Sequence, residues 1–404
     1  MKLVMTLLVR DEADIIDAQI AFHLHTGVDF VIATDNASRD GTTEVLESYA
    51  RAGYLHLIRE DGENMQQIEW VSRMARLAAT DFSADWVINS DADDFWCSHG
   101  APIKDVLAEV PRRFHTVRAL IRNFLPRPGD TGFFADRMNV RLVPGEATQR
   151  RHRVHPFHAQ DKVLHRAHPD VTVSAGNHDA RWTSSVDLRG FWHFEVLHFP
   201  MRTAEQCVEK WRNYERYGYS GYNVLTDFDA REYYASLLVD DTGLERGLED
   251  GSLAVDNRLR DALRAMRRRD ARFPLPDGSD PVYLPPLTTS ETAALAADAA
   301  AASERDALVK VEGRVRHLET RLAAVELSLG AASDARSPGA THERDDLHAG
   351  VLRMGSGSDT KFGRSDRAAR HRACEAAERG RLRLRRRRLA RGVLEPRNRR
   401  LRRR

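Results

Sequence analysis

Three aspartates, Asp91, Asp93 and Asp94, follow a short apolar run, Trp86 to Ile88, which predicts a buried strand. The carboxylates therefore lie where the strand ends, and in an open α/β sheet ligands bind at that edge. Asp91 and Asp93 are two positions apart on an extended segment, so both side chains can face one divalent cation with oxygen ligands. Such a cation would hold a diphosphate. The plainer alternative is a solvated acidic turn.

The elements around this block predict a nucleotide-binding α/β domain. Leu3 to Val9 is an apolar run typical of a central strand, and Arg10 to Asp14 opens a helix with acids in its first turn. Phe30 to Ala33 predicts a second strand, which a polar loop follows. Strand, helix, strand, loop and helix in succession start a βαβ unit. Further elements are predicted in order: strand Leu55 to Arg59, helix Met65 to Ala79, strand Thr116 to Phe124 and strand Met138 to Val143.

Three sequence blocks occur in an order that resembles a known family. They are R-D-E-A-D-I-I from Arg10, D-N-A-S-R-D-G-T from Asp35 and D-A-D-D-F-W from Asp91. The chain resembles family 2-like glycosyltransferases, in particular the bacterial branch whose metal motif precedes an aromatic pair, here Phe95 and Trp96. The resemblance is strongest from Lys2 to Trp96 and continues more weakly to Arg216. It implies the GT-A fold, a mixed α/β sheet flanked by helices, and transfer of a sugar from a nucleotide-diphosphate donor to an acceptor hydroxyl.

The resemblance also implies roles for residues at matching positions. Six residues are expected to bind the donor: Arg10, Glu12, Asp35, Arg73, Asp91 and Lys162. Three are expected to hold Mn²⁺ or Mg²⁺: Asp91, Asp93 and His198, with His178 as the second choice of histidine. A divalent cation offsets the negative charge that develops on a diphosphate leaving group, and imidazole is a suitable ligand for manganese beside carboxylates.

The stereochemistry of the transfer decides whether a general base is required. Family 2-like enzymes generally invert, and an inverting enzyme needs a base to take the proton of the acceptor hydroxyl. The candidate bases are Asp179, Glu195 and Asp94. Spacing along a chain gives no distances, so all three stay open here.

Changes of composition predict five regions. A GT-A domain covers 1–240, a helical extension 241–273 and a linker 274–290. Apolar residues alternate three- and four-residue steps within 304–330, which predicts a short coiled coil in region 291–330 and self-association, with a lone surface helix as the alternative. Region 331–404 is predicted to be a disordered, Arg-rich tail.

Charge is distributed unevenly although the formal net charge is only +2. The segment from Lys361 to Arg404 holds 19 of the 62 basic residues and only 4 of the 60 acidic residues. Such a tail can bind an anionic membrane surface, nucleic acid or acidic polysaccharide, or be an extension without a selected role. The three cysteines are widely separated and predict neither a disulfide framework nor a zinc site.

These features predict a cytoplasmic protein that is peripheral at the inner membrane face. The resemblance leaves the pathway open between the synthesis of cell-surface polysaccharide or glycoconjugates and the glycosylation of a small molecule, and the acceptor open between a glycan, a lipid-linked molecule and a small molecule. No apolar run in the sequence reaches the length of roughly 20 residues that spans a bilayer. The competing function is a non-catalytic nucleotide-binding α/β protein that acts through its coiled coil and basic tail.

Overall fold

A mixed sheet forms the centre of the computed structural model. The structure describes residues 1–62, 66–129, 132–143, 161–182, 189–216, 227–267, 273–289, 291–293 and 295–300, all within one compact unit, Met1–Ala323. Among these residues, 10 strands share the main sheet, and a separate hairpin pairs β9 with β10. The strands are β1 Leu3–Val9, β2 Phe30–Asp35, β3 Leu55–Arg59, β4 Trp86–Asp91, β5 Asp94–Ser98, β6 Thr116–Leu125, β7 Val140–Leu142, β8 Asp161–Arg166, β9 Thr172–Val173, β10 Ala180–Arg181, β11 Arg189–His198 and β12 Leu253–Val255.

Four parallel strands, in the order β4, β1, β2 and β3, bring the predicted loops to one edge of the sheet. Val9 pairs with Asp35 and Leu8 pairs with Asp91, so the carboxyl ends of β1, β2 and β4 are level. β1 is buried along its whole length because helices cover both faces of the sheet, which is why its sequence does not alternate. We call this side of the sheet the carboxyl edge.

Helices pack on both faces of the sheet. They are α1 Ile16–His25, α2 Thr42–Arg51, α3 Gln67–Thr80, α4 Ile103–Ala108, α5 Phe134–Arg137, α6 Ala204–Arg216, α7 Asp227–Leu237, α8 Asp241–Glu249 and α9 Arg258–Met266. The predicted mixed α/β fold, a sheet flanked by helices, is confirmed. The apolar pattern of the sequence predicts Ile68, Val71, Met74 and Leu77 on the buried face of α3, and one position is corrected. The structure buries Trp70, Val71 and Met74 of this helix, whereas Ile68 is 50% exposed. Positions 70, 71 and 74 lie on one side of a 3.6-residue helix, and position 68 turns away from them.

Strands β5, β6 and β11 bring three further side chains, those of Asp94, Asn123 and His198, to the carboxyl edge. β11 lies between β5, which is antiparallel to it, and β6, which is parallel to it. This register places His198 opposite Asp94 on β5 and opposite Asn123 on β6. Phe199 N–H donates to the Asp93 carbonyl over 2.9 Å, so the end of β11 is fixed to the acidic turn.

The regions predicted as a helical extension and a linker pack against the body. β12 pairs with β7, so the extension contributes a strand to the sheet. In segment 274–289, Val282 N–H donates to the His25 carbonyl over 2.7 Å and Leu284 N–H donates to the Ser98 carbonyl over 3.0 Å. Leu284 is 3% exposed and belongs to the core that includes Phe95 and Phe199.

The predicted coiled coil at 304–330 and the basic tail at 331–404 lie outside the described residues. Among the helices that the structure describes, none combines the length and apolar character that crossing a membrane requires.

The packing of segment 273–289 generates a test with a matched pair of substitutions. Leu284→Ala should lower the free energy of unfolding by about 2–5 kcal/mol, because it opens a cavity in a closed core. Leu275→Ala removes the same atoms from a residue that is 38% exposed and should cost less than about 1 kcal/mol. Urea denaturation followed by tryptophan fluorescence measures both. Equal small losses would mean that this segment does not stabilise the body.

Candidate active site

The candidate site lies at the carboxyl edge, where β4 and β11 end and β5 begins. Asp93 and Asp94 are 4% and 0% exposed, and His198 is 9% exposed. Each of these three residues offers one ligand atom, and the three atoms all lie within 4.8 Å of one another. Two carboxylates and an imidazole suit Mn²⁺ in their donor types, and the two carboxylates by themselves suit Mg²⁺. The second oxygen of Asp94, Oδ1, is buried without a hydrogen-bond partner among the described residues, which fits a site that receives another group.

His198 is oriented by Asn123, a residue that the sequence analysis does not single out. His198 Nδ1 lies 2.7 Å from Asn123 Oδ1, and a carbonyl oxygen can only accept, so Nδ1 carries the proton. His198 Nε2 is then left on the side of Asp93, whose Oδ2 is 3.6 Å away: in the neutral ring it offers a lone pair to a metal ion, and in the protonated ring it faces the Asp93 carboxylate as a cation. Hydrogen bonding at one ring nitrogen commonly orients a histidine that ligates metal through the other. Asn123 and His198 meet through strand register, which leaves no local sequence signal.

Asp91 is placed differently from the sequence prediction. The sequence pairs it with Asp93 as a metal ligand, whereas the structure brings Asp94 to Asp93 and His198. Asp91 instead accepts hydrogen bonds from Lys162 Nζ and from Asn177 Nδ2, the latter over 3.0 Å. The reason is geometric: after β4 ends, the chain turns back, so positions 91 and 93 do not lie on one extended strand.

Two lysines balance the charge of the three aspartates. Lys162 Nζ pairs with Asp91 and lies 2.5 Å from Asp94 Oδ2. Lys210 Nζ, on α6, lies 2.8 Å from Asp93 Oδ2. The sequence predicts Lys162 for the donor site but misses Lys210, because a lysine on a polar helix is ordinarily solvated.

The pKa values of these groups are shifted by burial and by their partners. Burial by itself would raise the pKa of Asp93, but Lys210 and His198 outweigh it and hold that pKa well below its ordinary value. Burial raises the pKa of Asp94, although Lys162 opposes the rise. For Lys162, desolvation would lower the pKa, but Asp91 and Asp94 raise it above its ordinary value. Lys162 therefore stays a cation while it is buried.

Asn177 reaches Asp91 from a 3-10 turn, Ala175–Asn177. Its φ is +60°, in the left-handed region that Asn tolerates better than most residues. Gly176 N–H donates to Gln67 Oε1 over 3.2 Å, which holds the turn against α3. Asn177 is 1% exposed, and its Oδ1 has no hydrogen-bond partner among the described residues. The A-G-N-H-D composition signals a turn, and the turn's approach to Asp91 comes from tertiary packing.

Glu12 lies in a second buried charge cluster next to the first. Arg202 is 0% exposed, donates to Glu12 and places Nε 2.6 Å from Asp14 Oδ2. Burial raises the pKa of Glu12 to about 7, with Arg202 lowering it and Asp93 raising it. Arg202 therefore joins the loop after β1 to the connection between β11 and α6. No local pattern identifies Arg202, because its partners lie about 190 positions away along the chain.

The other predicted donor residues lie on the β2 side of the carboxyl edge. Asp35 is 4% exposed and accepts from Ser38 N–H over 3.1 Å and from Thr43 Oγ1 over 2.5 Å. Arg73 pairs with Glu60, which follows β3, and Arg10 Nε lies 3.5 Å from Asp11 Oδ2. These side chains lie at the predicted edge, and the contacts just named join them to neighbouring protein groups.

Glu195 is corrected as a candidate base. It lies three positions before His198 on β11, so its side chain projects from the opposite face of the strand. There it pairs with Arg122, with His99 Nε2 at 2.9 Å and with Arg258 Nη1 at 3.1 Å. Burial would raise its pKa, but these partners hold it well below its ordinary value. A carboxylate so paired on the far face of β11 is not placed to take a proton from an acceptor.

Asp179 and His178 lie just after the turn that carries Asn177. Asp179 Oδ2 is 2.5 Å from Arg181 Nε, and His178 Nδ1 donates to the Asp161 carbonyl over 2.6 Å. Burial, together with the nearby Lys162 cation, lowers the pKa of His178. His198 rather than His178 meets the aspartates, and Asp179 stays a predicted base.

Comparison with protein families gives one match. The model of glycosyltransferase family 92 matches residues 5–116, somewhat more than a quarter of the chain. The matched part includes the parallel strands and the acidic block from Asp91 to Trp96. The finer prediction, a family 2-like enzyme, stays a prediction. A comparison with curated proteins gives no match.

Comparison with solved structures gives several remote likenesses. S. aureus TarS 1-349 with UDP-GlcNAc is 10% identical over 62% of this chain and 73% of that chain, with a TM-score of 0.30. The Pyrobaculum calidifontis mannosyltransferase PcManGT with GDP-Man and Mn²⁺ is 15% identical over 62% and 76%, with a TM-score of 0.28. Mycobacterium tuberculosis glucosyl-3-phosphoglycerate synthase with Mn²⁺, UDP and glucosyl-3-phosphoglycerate is 20% identical over 30% and 44%, with a TM-score of 0.23. Likenesses this remote carry no argument about substrate.

The raised pKa of Glu12 predicts a specific pH dependence of stability. An ordinary glutamate has a pKa of 4.5, so between pH 4.5 and about 7 the folded chain holds a proton on Glu12 that the unfolded chain has lost. Stability therefore falls as the pH rises through this window, by roughly 3 kcal/mol when complete. Glu12→Gln removes this titration. The free energy of unfolding of the variant, taken relative to that of the wild type, should therefore increase between pH 5 and pH 8. Urea denaturation across this range measures the difference.

The control for this prediction is Glu47→Gln, which removes a surface carboxylate of α2 paired with Arg59. Parallel pH profiles for wild type and Glu12→Gln would contradict the assignment of a raised pKa to Glu12.

Proposed function

We propose that this chain transfers a sugar from a nucleotide-diphosphate donor to an acceptor hydroxyl, in a reaction that depends on a divalent cation. The observation that carries the proposal is the buried group of Asp93, Asp94 and His198 at the carboxyl edge, next to two lysines. The family 92 match supports the same chemistry, since it covers the strands and the acidic block. We further propose a family 2-like enzyme of the GT-A fold.

Each part of the site has a task in this reaction. Asp93, Asp94 and His198 would hold Mn²⁺ or Mg²⁺. When bound, such a cation neutralises charge that develops on the diphosphate oxygens. Lys162 supplies a fixed positive charge beside them, and charge-assisted hydrogen bonds to phosphate are among the strong ones. Asn177 and Lys162 together keep Asp91 in place, so the acidic turn is oriented before a donor arrives.

Several finer predictions accompany this proposal. An inverting transfer requires a base, and Asp179 is the predicted carboxylate that is neither assigned to the cation, as Asp94 is, nor paired on the far face of β11, as Glu195 is. The acceptor is an unidentified glycan, lipid-linked molecule or small molecule, in cell-surface polysaccharide or glycoconjugate synthesis. Self-association through 304–330 and contact of the basic tail with an anionic inner membrane face are proposals that rest on the sequence alone.

Calorimetry with nucleotides tests the donor site. ADP, CDP, GDP and UDP are titrated into the full chain with and without Mn²⁺, and into the variant Asp93→Asn. One nucleotide should bind only with Mn²⁺, and Asp93→Asn should weaken that binding at least about tenfold, because it removes a charged ligand. Asp81→Asn is the matched control, since Asp81 is exposed at the end of α3, where the chain approaches the amino end of β4.

The result separates the two candidate functions. Metal-dependent binding together with turnover of the matching nucleotide-sugar supports a transferase. Binding without turnover by any matching nucleotide-sugar, across a panel of acceptors, favours the non-catalytic nucleotide-binding protein. If the folded wild type binds none of the four nucleotides, the donor-site assignment is wrong.

A further inference from the structure

The two lysines of the site are held in different ways. Lys162 lies on β8, is 4% exposed and contacts both Asp91 and Asp94. Lys210 lies on α6, its side chain is 19% exposed, and it contacts Asp93 and the Pro200 carbonyl, the latter over 3.2 Å. A lysine side chain carries three donors on a flexible four-carbon stem. Lys210 is therefore the more exposed of the two cations and lies on a helix, whereas Lys162 is buried within the sheet.

Lys210 occupies one of the oxygens that a metal ion would need. Its Nζ is 2.8 Å from Asp93 Oδ2, and the same Oδ2 is 3.6 Å from His198 Nε2. A divalent cation bound by Asp93 and His198 would lie within a few ångström of the ammonium. Like charges at such a distance repel strongly in a partly buried site. Metal binding and the Lys210–Asp93 pair therefore oppose each other.

The charge balance of the site indicates what relieves this opposition. Three aspartates face two lysines, so without a ligand the group is nearly neutral and attracts a divalent cation weakly. A diphosphate adds negative charge and offers new acceptors for an ammonium group. The buried Oδ1 of Asp94 and the buried Oδ1 of Asn177, both without hydrogen-bond partners among the described residues, indicate that the site is completed by another group.

We propose that Lys210 exchanges partners: it holds Asp93 while the site is empty, and it binds diphosphate oxygens when donor and divalent cation enter. This deepens the proposed function and rests on its donor site. The exchange makes metal and nucleotide diphosphate bind with positive coupling, and such coupling is reciprocal. Lys210 thus acts both as an internal counter-cation and as a phosphate ligand.

Binding of Mn²⁺ to the full chain tests the exchange, read from the electron paramagnetic resonance signal of free Mn²⁺. Lys210→Met should tighten binding of Mn²⁺ alone about tenfold or more, because it removes a competing cation. The same variant should reduce the factor by which UDP or GDP strengthens Mn²⁺ binding. Lys210→Arg keeps the charge and should retain the weak binding of Mn²⁺ alone.

Lys104→Met is the matched control. Lys104 Nζ pairs with Asp29 over 2.6 Å, and Asp29 immediately precedes β2, at the opposite end of the sheet. This variant loses the same charge and should leave both Mn²⁺ measurements unchanged. Circular dichroism checks that each variant is folded.

The two measurements on Lys210→Met test two separate parts of the proposal. Unchanged or weaker binding of Mn²⁺ alone by folded Lys210→Met overturns the competition between Lys210 and metal. An unchanged coupling factor in that variant overturns the role of Lys210 as a phosphate ligand. If the wild type binds Mn²⁺ but neither UDP nor GDP strengthens that binding, the exchange of partners by Lys210 is wrong for these nucleotides. The competition between Lys210 and the metal ion is then still decided by comparing the binding of Mn²⁺ alone to wild type and to Lys210→Met.

Discussion

The need to compensate two buried carboxylates, Asp93 and Asp94, and the partly buried Asp91 beside them governs the arrangement at the carboxyl edge. Asp93 and Asp94 are almost fully buried, and an unpaired buried charge is costly. The compensating groups come from three separate elements: Lys162 from β8, Lys210 from α6 and His198 from β11. Each of these elements must dock correctly for the acidic turn to be stable.

A second set of buried charges fixes the surroundings of that turn. Arg202 connects the loop after β1 to the chain after β11 through Glu12 and Asp14. Buried ion pairs add little net stability, but removing one partner is costly, so they specify an arrangement more than they strengthen it. Glu195 belongs to such a set on the other face of β11, where it joins β6 and α9 through Arg122 and Arg258. Its carboxylate is paired there, on the face of β11 opposite His198.

Local patterns in the sequence were sufficient for most of the parallel half of the fold. Apolar runs such as Leu3–Val9 and Phe30–Asp35 are short and continuous because both sheet faces are covered, and this makes buried strands recognisable. The position of Asp91 at a strand end followed from the same pattern. Region 274–290 was predicted as a linker because its composition is rich in Pro, although Leu284 packs into the core.

The sequence by itself determined the α/β class and the edge that carries the acidic block, since these depend on runs and motifs within short windows. Only the tertiary structure decided that Asp94 rather than Asp91 joins Asp93 and His198, and that Asn123, Asn177, Arg202 and Lys210 take part. The physical reason is that strand register and helix docking set these contacts. Lys210 and Asp93 are 117 positions apart, a separation over which residue type and periodicity carry no information about distance.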